Sequence, residues 1–260
     1  MRRIGMGPRC NALSSNIMSF KRFIVGTDNH GELGCPIAIK KFLDFCDAYK
    51  PHYRIHLGDV FDFACLRRGA SQEEKADGVS EDFHAGMTFL EAYRPNFLTL
   101  GNHDDRIWMN TVKCSDGILR ERCQELATAS ERRFKHLKIK WVPYEVDEYI
   151  QLPDTNCKLV HGFPSSKHPA SAHHQYWGDC IAGHVHKPDE YTARHIDRGQ
   201  AFTVGCLADI KQMTYANRHP AKLGWRQGWL YGYINTKTGK WNAWNVKNDQ
   251  GTWISPMGIL

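Results

Sequence analysis

The chain has no run near the roughly 20 consecutive apolar residues of a membrane-spanning helix, so no membrane role is expected. Its N-terminal stretch, MRRIGMGPRCNALSSNIMSFKRF, is basic but has no apolar core of about 7 or more residues, and does not read as a secretory signal. Residues 1–18 are read as a flexible extension and residues 19–260 as a single domain, long enough for one sizeable core. There is no Cys-x-x-Cys pair. The nine cysteines, at 10, 35, 46, 65, 114, 123, 157, 180 and 206, are odd in number and irregular in spacing. That argues against a disulfide framework and for free thiols in a reducing, cytoplasmic setting. Internal repeats and low-complexity linkers are missing, and so is any long basic run. The net charge of +6 fits an anionic substrate without demanding nucleic acid.

What is present is a series of short runs rich in β-branched and aromatic residues. They predict strands at 22–27 (RFIVGT), 53–57 (YRIHL), 96–100 (NFLTL), 139–143 (IKWVP), 158–161 (KLVH) and 180–184 (CIAGH). Helical patterns lie between some of them. One opens at Pro36, with Ile39, Phe42, Leu43 and Cys46 on one face and Pro51 beyond its end. A second starts from a Ser80 cap, with Glu81 and Asp82 in its first turn and Phe83, Met87 and Leu90 along one stripe. ILRERCQELAT (118–128) reads as a third. This alternation predicts an α/β fold built from βαβ units. After about residue 190 come AFTVG (201–205), GWLYGYIN (228–235) and KWNAWNV (240–246), the last two joined by an NTKTGK turn. These predict a second, more antiparallel sheet packed on the first.

The strand ends carry the chemistry. The first expected strand is followed by Asp28-Asn29-His30 and the second by Gly58-Asp59, with Asp62 three residues on. The third leads to Gly101-Asn102-His103-Asp104, the fifth to His161-Gly162, and the sixth to Gly183-His184-Val185-His186. Ligands of open α/β sheets bind at the carboxyl ends of strands, so these residues are expected in one place. Asp28 and His30 are two apart, as are His184 and His186, and on an extended segment such pairs point the same way. Imidazole and carboxylate donors suit transition ions better than magnesium or calcium. Seven such ligands exceed one four-coordinate ion and suit two ions sharing a carboxylate.

Together DNH, GDVFD, GNHD, HG and GHVH resemble the five signature blocks of the calcineurin-like metallophosphoesterases. The resemblance implies a four-layer α/β/β/α sandwich of two mixed sheets, with a dinuclear metal site at the C-terminal ends of the strands. It implies a first ion on Asp28, His30 and His186, a second on Asn102, His161 and His184, and Asp59 bridging them. Two divalent metal ions are expected, manganese first, with iron, zinc, cobalt or nickel as alternatives. A water shared by two such ions loses its proton near neutral pH and can serve as a hydroxide nucleophile toward a phosphate ester. His103 follows Asn102, so on an extended turn it faces away from the metals and over the leaving oxygen, as a general acid. The family resemblance gives it the same role. Asp62 is favoured over Asp104 to orient its imidazole, and Asp104 and Asp105 stay open between support and a solvated turn.

The substrate is less legible. Arg67, Arg68 and, more weakly, Arg106 are candidates to bind it. His168, His173 and His174 are placed near the rim with a surface role. Five of the eight tryptophans, at 225, 229, 241, 244 and 253, are read as packing and not as base platforms. The leading expectation is a phosphodiesterase acting on a phosphate ester, of which nucleotide-derived ones are candidates. A metal-dependent DNA nuclease of the same superfamily is the alternative, and a non-catalytic scaffold ranks last.

Overall fold

The computed structural model describes residues 19–194, 199–213 and 224–259. The expected extension at 1–18 lies outside them. In chain order the elements are β1 (Phe20–Gly26), α1 (Pro36–Tyr49), β2 (Tyr53–His56), α2 (Gln72–Ala76), α3 (Val79–Tyr93), β3 (Phe97–Thr99), α4 (Asp105–Lys113), α5 (Gly117–His136), β4 (Lys140–Val142), β5 (Ile150–Gln151), β6 (Lys158–Val160), α6 (Pro169–Trp177), β7 (Cys180–Ala182), β8 (Asp189–Thr192), β9 (Gln200–Thr203), β10 (Gly228–Asn235), β11 (Trp241–Asp249), β12 (Thr252–Ser255) and β13 (Gly258–Ile259).

Two mixed sheets stack on each other. The first has the order β13-β12-β11-β10-β1-β2-β3-β4, and the second β5-β6-β7-β9-β8. Alternation along β1 shows why. Phe23 and Val25 face the second sheet and pack with Leu159, Ile181 and Phe202, while Ile24 faces α1 and α3. Outside the second sheet, Trp177 of α6 covers Val160, Cys180 and Ala201. The layers therefore run helices, sheet, sheet, helix, as the family resemblance implied.

The late strands depart from expectation. β10 pairs antiparallel with β1, from Phe20↔Asn235 to Val25↔Leu230, and β11 to β13 continue outward from it. They extend the first sheet, whereas only β9 joins the second, between β7 and β8. The reason is burial on both faces. Trp229 and Tyr231 meet Phe45 at ring distances of 5.5 and 5.1 Å on the helical side, and Leu230 and Ile234 meet the second sheet. Trp229 and Trp253 are buried and stacked, which bears out their reading as core residues.

Helix ends differ in detail. α3 begins at Val79 with Gly78 in the cap position. Ser80 Oγ instead accepts from Arg122 of α5 at 2.9 Å. α5 runs well past 128 because Ser130 and Phe134 continue its buried stripe, and Asp116 caps it by accepting from Leu119 N–H. No disulfide joins the cysteines of the described residues. Among those residues no helix is long and apolar enough to cross a membrane.

Candidate metal centre

Parallel pairing puts the carboxyl ends of β1, β2 and β3 along one edge, and β6 and β7 end at the same edge of the second sheet. The loops after these strands are laced together. The N–H groups of Asp28 and His30 donate to Gly58 O and Asp59 O, both at 3.0 Å, and Gly31 N–H donates to Val60 O at 2.8 Å. His161 Nδ1 bonds Leu57 O at 2.6 Å, tying the second sheet to the first.

The Asp28/His30 and His184/His186 pairs converge, but not along extended backbone. Asp28, His30, Asp59, His184 and His186 all have φ between 51° and 67°. Each left-handed residue costs about 1–3 kcal/mol, and such strain concentrates at functional sites. The turn 102–104 is likewise not extended, so His103 reaches its place by a tight turn leading into α4. Glycine is needed at 101 by close approach: a methyl there would collide with the Asp59 carboxylate and lie 2.7 Å from the His161 ring.

Two groups of donors result. Asp28, His30 and His186 offer atoms within 4.8 Å of one another, and so do Asp59, His161 and His184. Asn102 Oδ1 lies 3.1 Å from His161 Nε2 and 2.8 Å from His184 Nδ1. Asp59 Oδ2 stands between the groups, 3.8 Å from His30 Nε2 and 3.4 Å from His161 Nε2. The donor set suits cations. His30 Nε2 and His186 Nε2 face each other at 3.2 Å, where a hydrogen bond uses one lone pair and a cation would use both.

Electrostatics agree. Burial opposes charge on Asp28 and Asp59, yet His186 beside Asp28 and His161 beside Asp59 hold both carboxyls well below the ordinary range. Burial also disfavours charge on His30 and His161, but Asp62 and Asp59 around the first, and Asp59 by the second, raise each to about 9. The negative charge that does this is the charge that would hold cations. Burial lowers His184 to about 4, favouring the neutral, ligating imidazole.

A third cluster joins His30, Asp62 and His103. Asp62 Oδ1 lies 2.8 Å from His30 Nδ1 and 2.9 Å from His103 Nδ1, which is hydrogen-bond geometry. His103 Nε2 stays 3.9 Å from Asp59 Oδ2. Asp62 is itself braced. Asp82 of α3 accepts from the N–H groups of Asp62 and Phe63 at 3.0 Å and of Glu32 at 3.2 Å. Asp104 is buried and accepts from Phe61 N–H (3.0 Å) and Gly101 N–H (2.9 Å), which settles it as support. Burial, with Asp59 nearby, pushes its carboxyl up to about 7. Asp105 opens α4, half-buried.

The arginine candidates go elsewhere. Arg67 makes a 2.6 Å ion pair with Glu74, whose carboxylate also completes the capping box of α2. Arg68 is exposed, and neither residue lines the cleft over the donors. Arg106 is buried and its Nη1 donates to Asp62 O at 2.5 Å and Phe63 O at 3.2 Å, so it holds the loop at 62–63. Of the rim histidines, His173 is buried in α6 with Nδ1 on Pro169 O at 2.8 Å, correcting the surface role expected of it. His168 is exposed at the cap of α6, and His174 is half-buried with its ring 5.0 Å from that of Tyr191 in β8. A cleft of about 530 Å³ opens above the donors, lined by Asp59, His103, His184 and His186 and by Ser165, Lys167, Lys187 and Trp225. From sequence Asp82 was read only as a first-turn acid of a helix and Trp225 only as packing, and Lys187 was not singled out.

Against known families, residues 21–201 match the family model of calcineurin-like phosphoesterases. Among solved structures, the chain resembles a novel archaeal phosphodiesterase at 14% identity, over 87% of this chain and 99% of that one, with a TM-score of 0.41. It resembles a phosphoesterase from E. coli at 14% identity over 90% and 97%, TM-score 0.38. It also resembles a novel phosphatase from Mycoplasma pneumoniae at 11% identity over 93% and 96%, TM-score 0.49. No curated protein matches it significantly.

Proposed function

The chain belongs to the calcineurin-like phosphoesterase family, whose members hydrolyse phosphate esters, and we propose that it is a metal-dependent phosphodiesterase. Asp28, His30 and His186 would hold one divalent ion, Asn102, His161 and His184 a second, and Asp59 would bridge them. Manganese is the first choice, with iron, zinc, cobalt or nickel as alternatives. Bound there, the ions supply Lewis acidity and acidify water. The observation that carries this reading is the position of the Asp59 carboxylate, 3.8 Å from His30 Nε2 and 3.4 Å from His161 Nε2, between two buried donor groups at the floor of a cleft.

The protein's own residues supply the rest. Asp28 and Asp59 would offset only part of the charge of two divalent ions held there, so the centre would attract a phosphate anion. His103 lines the same cleft, and Asp62 holds its Nδ1–H. That contact orients the ring and leaves Nε2–H of the imidazolium to protonate the leaving alkoxide. After the transfer the neutral ring keeps its Nδ1 proton on Asp62. Asp82, Asp104 and Arg106 fix the loop carrying Asp62, so the acid is positioned before substrate arrives. One acid suffices for a diester, and among the described residues no arginine lines the cleft for a phosphate dianion.

The test is a panel with the manganese-loaded chain: bis-p-nitrophenyl phosphate, a p-nitrophenyl monoester, cyclic nucleotides, and single- and double-stranded DNA. Diester hydrolysis exceeding monoester hydrolysis is expected. Cleavage of double-stranded DNA that weakens steeply with salt would replace this reading with a nuclease. No hydrolysis with any of the five metals would leave a scaffold.

A further inference from the structure

We infer that the cleft takes a small phosphodiester carrying a second phosphate, and that Lys187, with Lys167, binds this second phosphate at the cleft mouth. The inference rests on the phosphoesterase reading of the adjacent donors and names a substrate class for that site. It starts from depth. Asp59, His103 and His186 at the floor are buried, whereas Ser165, Ser166 and Lys167 are exposed and Lys187 is half-buried. The candidate ions would hold the scissile phosphate at the floor. The lysines of the mouth therefore meet whatever extends from that phosphate.

Lys187 is held at both ends and along its stem. It follows His186 directly in the chain. Thr203 Oγ1 donates to its carbonyl at 2.6 Å. Its Nζ donates to Lys167 O at 2.7 Å, which ties the loop after His161 to the loop after His186. Gly224 lies beside the methylenes, where an added methyl would stand 3.4 Å from Cδ and Cε. A cation fixed in this way gives up little side-chain freedom when an anion arrives.

No acid neutralises the mouth. Among the described residues no carboxylate makes an ion pair with Lys187 or Lys167, and Asp59 at the floor is the single acid lining the cleft. Asp189, two residues beyond Lys187, accepts from Ala170 N–H at 3.2 Å. Residues 214–223, which precede Gly224 in the chain, contain no aspartate or glutamate. An ammonium carries three protons, so Lys187 keeps two for a ligand. Lys167 adds a second cation, and Ser165 and Ser166 add hydroxyls. Two cations and two hydroxyls suit a phosphate, whose several oxygens can accept from all of them. The cleft of about 530 Å³ falls within the roughly 300–1,000 Å³ of small-ligand sites, with room for more than the scissile group. A nucleic acid strand would want a longer basic track, and the sequence has no long basic run. A plain dialkyl ester would leave both lysines without an anion.

The test measures binding calorimetrically on the manganese-loaded full chain at fixed free manganese. The probes are propylphosphonate and the alkane diphosphonates with two-, three- and four-carbon spacers. The best diphosphonate should bind about tenfold more tightly than propylphosphonate or better, as one hydrogen bond to a charged group provides. High salt should shrink that preference. Lys187→Gln should remove most of it while leaving the metal content and the propylphosphonate affinity unchanged, and Lys187→Arg should keep most of it. Equal affinity for all the probes in the wild type overturns the inference. So does a preference that survives in Lys187→Gln, as two phosphonates spread over two ions would give, or a Lys187→Gln variant that loses metal and both kinds of ligand together. A short oligothymidylate that outcompetes the best diphosphonate at equal phosphate concentration overturns it in favour of a strand. Turnover of bis-p-nitrophenyl phosphate, measured in parallel, separates the two claims. Turnover without a diphosphonate preference sinks the second-phosphate site alone. A diphosphonate preference without turnover of any ester upholds that site and sinks the phosphoesterase reading alone.

Discussion

Replacing Asp62 with alanine tests the joint between metal binding and proton transfer. One carboxylate oxygen receives both His30 Nδ1, at 2.8 Å, and His103 Nδ1, at 2.9 Å. Burial alone would raise this carboxyl, yet the hydrogen bonds from His103 and His30 hold it well below its ordinary range. A hydrogen bond to a charged group is worth about 1.5–3 kcal/mol, and a buried donor left unsatisfied costs about 1–3 kcal/mol. His30 is fully buried, so its share of the loss is complete, whereas His103 borders the cleft and water can replace part of its partner. The sum is about 3–5 kcal/mol, a combined loss of about 100- to 4,000-fold. It should divide in a definite way. Metal affinity, measured by chelator competition, should fall about 10- to 100-fold through His30. At saturating metal, kcat should fall further through His103, and more for an alkyl ester than for a p-nitrophenyl ester. Asp62→Asn keeps an acceptor without the charge and should lose about half as much free energy. Wild-type metal affinity and kcat in Asp62→Ala would refute the reasoning.

Other substitutions probe single links. His103→Ala should keep its metals and lose about 100-fold or more in kcat on esters with poor leaving groups, the usual size of a general-acid contribution; an equal rate on an alkyl diester would remove it from the chemistry. Gly101→Ala should fold but fall short in metal content, because its methyl displaces Asp59 and the His161 ring; full metal content in that variant would show the approach to be looser than described. His173 gives a pH test of stability. Burial lowers its pKa to about 4 against the ordinary 6.5, so the unfolded chain binds a proton there that the folded chain refuses. Stability should therefore fall as pH drops from about 6.5 toward 4, and between pH 7 and 5 this one residue accounts for about 2 kcal/mol. Denaturant unfolding of His173→Gln should lack that part of the loss, and identical pH slopes in the two proteins would contradict the assignment.

The convergence of the candidate ligands was legible because each sits directly after a strand, where local pattern and spatial position coincide. Asp28, His30, Asp59, Asn102, His161, His184 and His186 meet at one edge for that reason. Their route there was not legible. Pairs two apart suggested extended backbone, but the structure uses left-handed turns, a strained state that residue type does not announce. The sheet joined by β10 and β11 was misread because strand pattern reports two buried faces without naming the neighbour. Arg67 and Arg106 looked available, since sequence does not show that Glu74 and the carbonyl of Asp62 already take them. Asp82 looked like an ordinary first-turn acid of a helix. Only the packing of α3 against the loops at 32 and 62–63 turns it into a brace.

The most direct test of the dinuclear centre is the metal content and electron paramagnetic resonance of the manganese-loaded chain beside its Asp59→Asn variant. The structure predicts two ions per wild-type chain with the signal of an exchange-coupled pair. In the variant it predicts a reduced metal content and loss of the coupling along with diester hydrolysis. A single ion per active wild-type chain, or two coupled ions retained in Asp59→Asn, would contradict a centre bridged by Asp59.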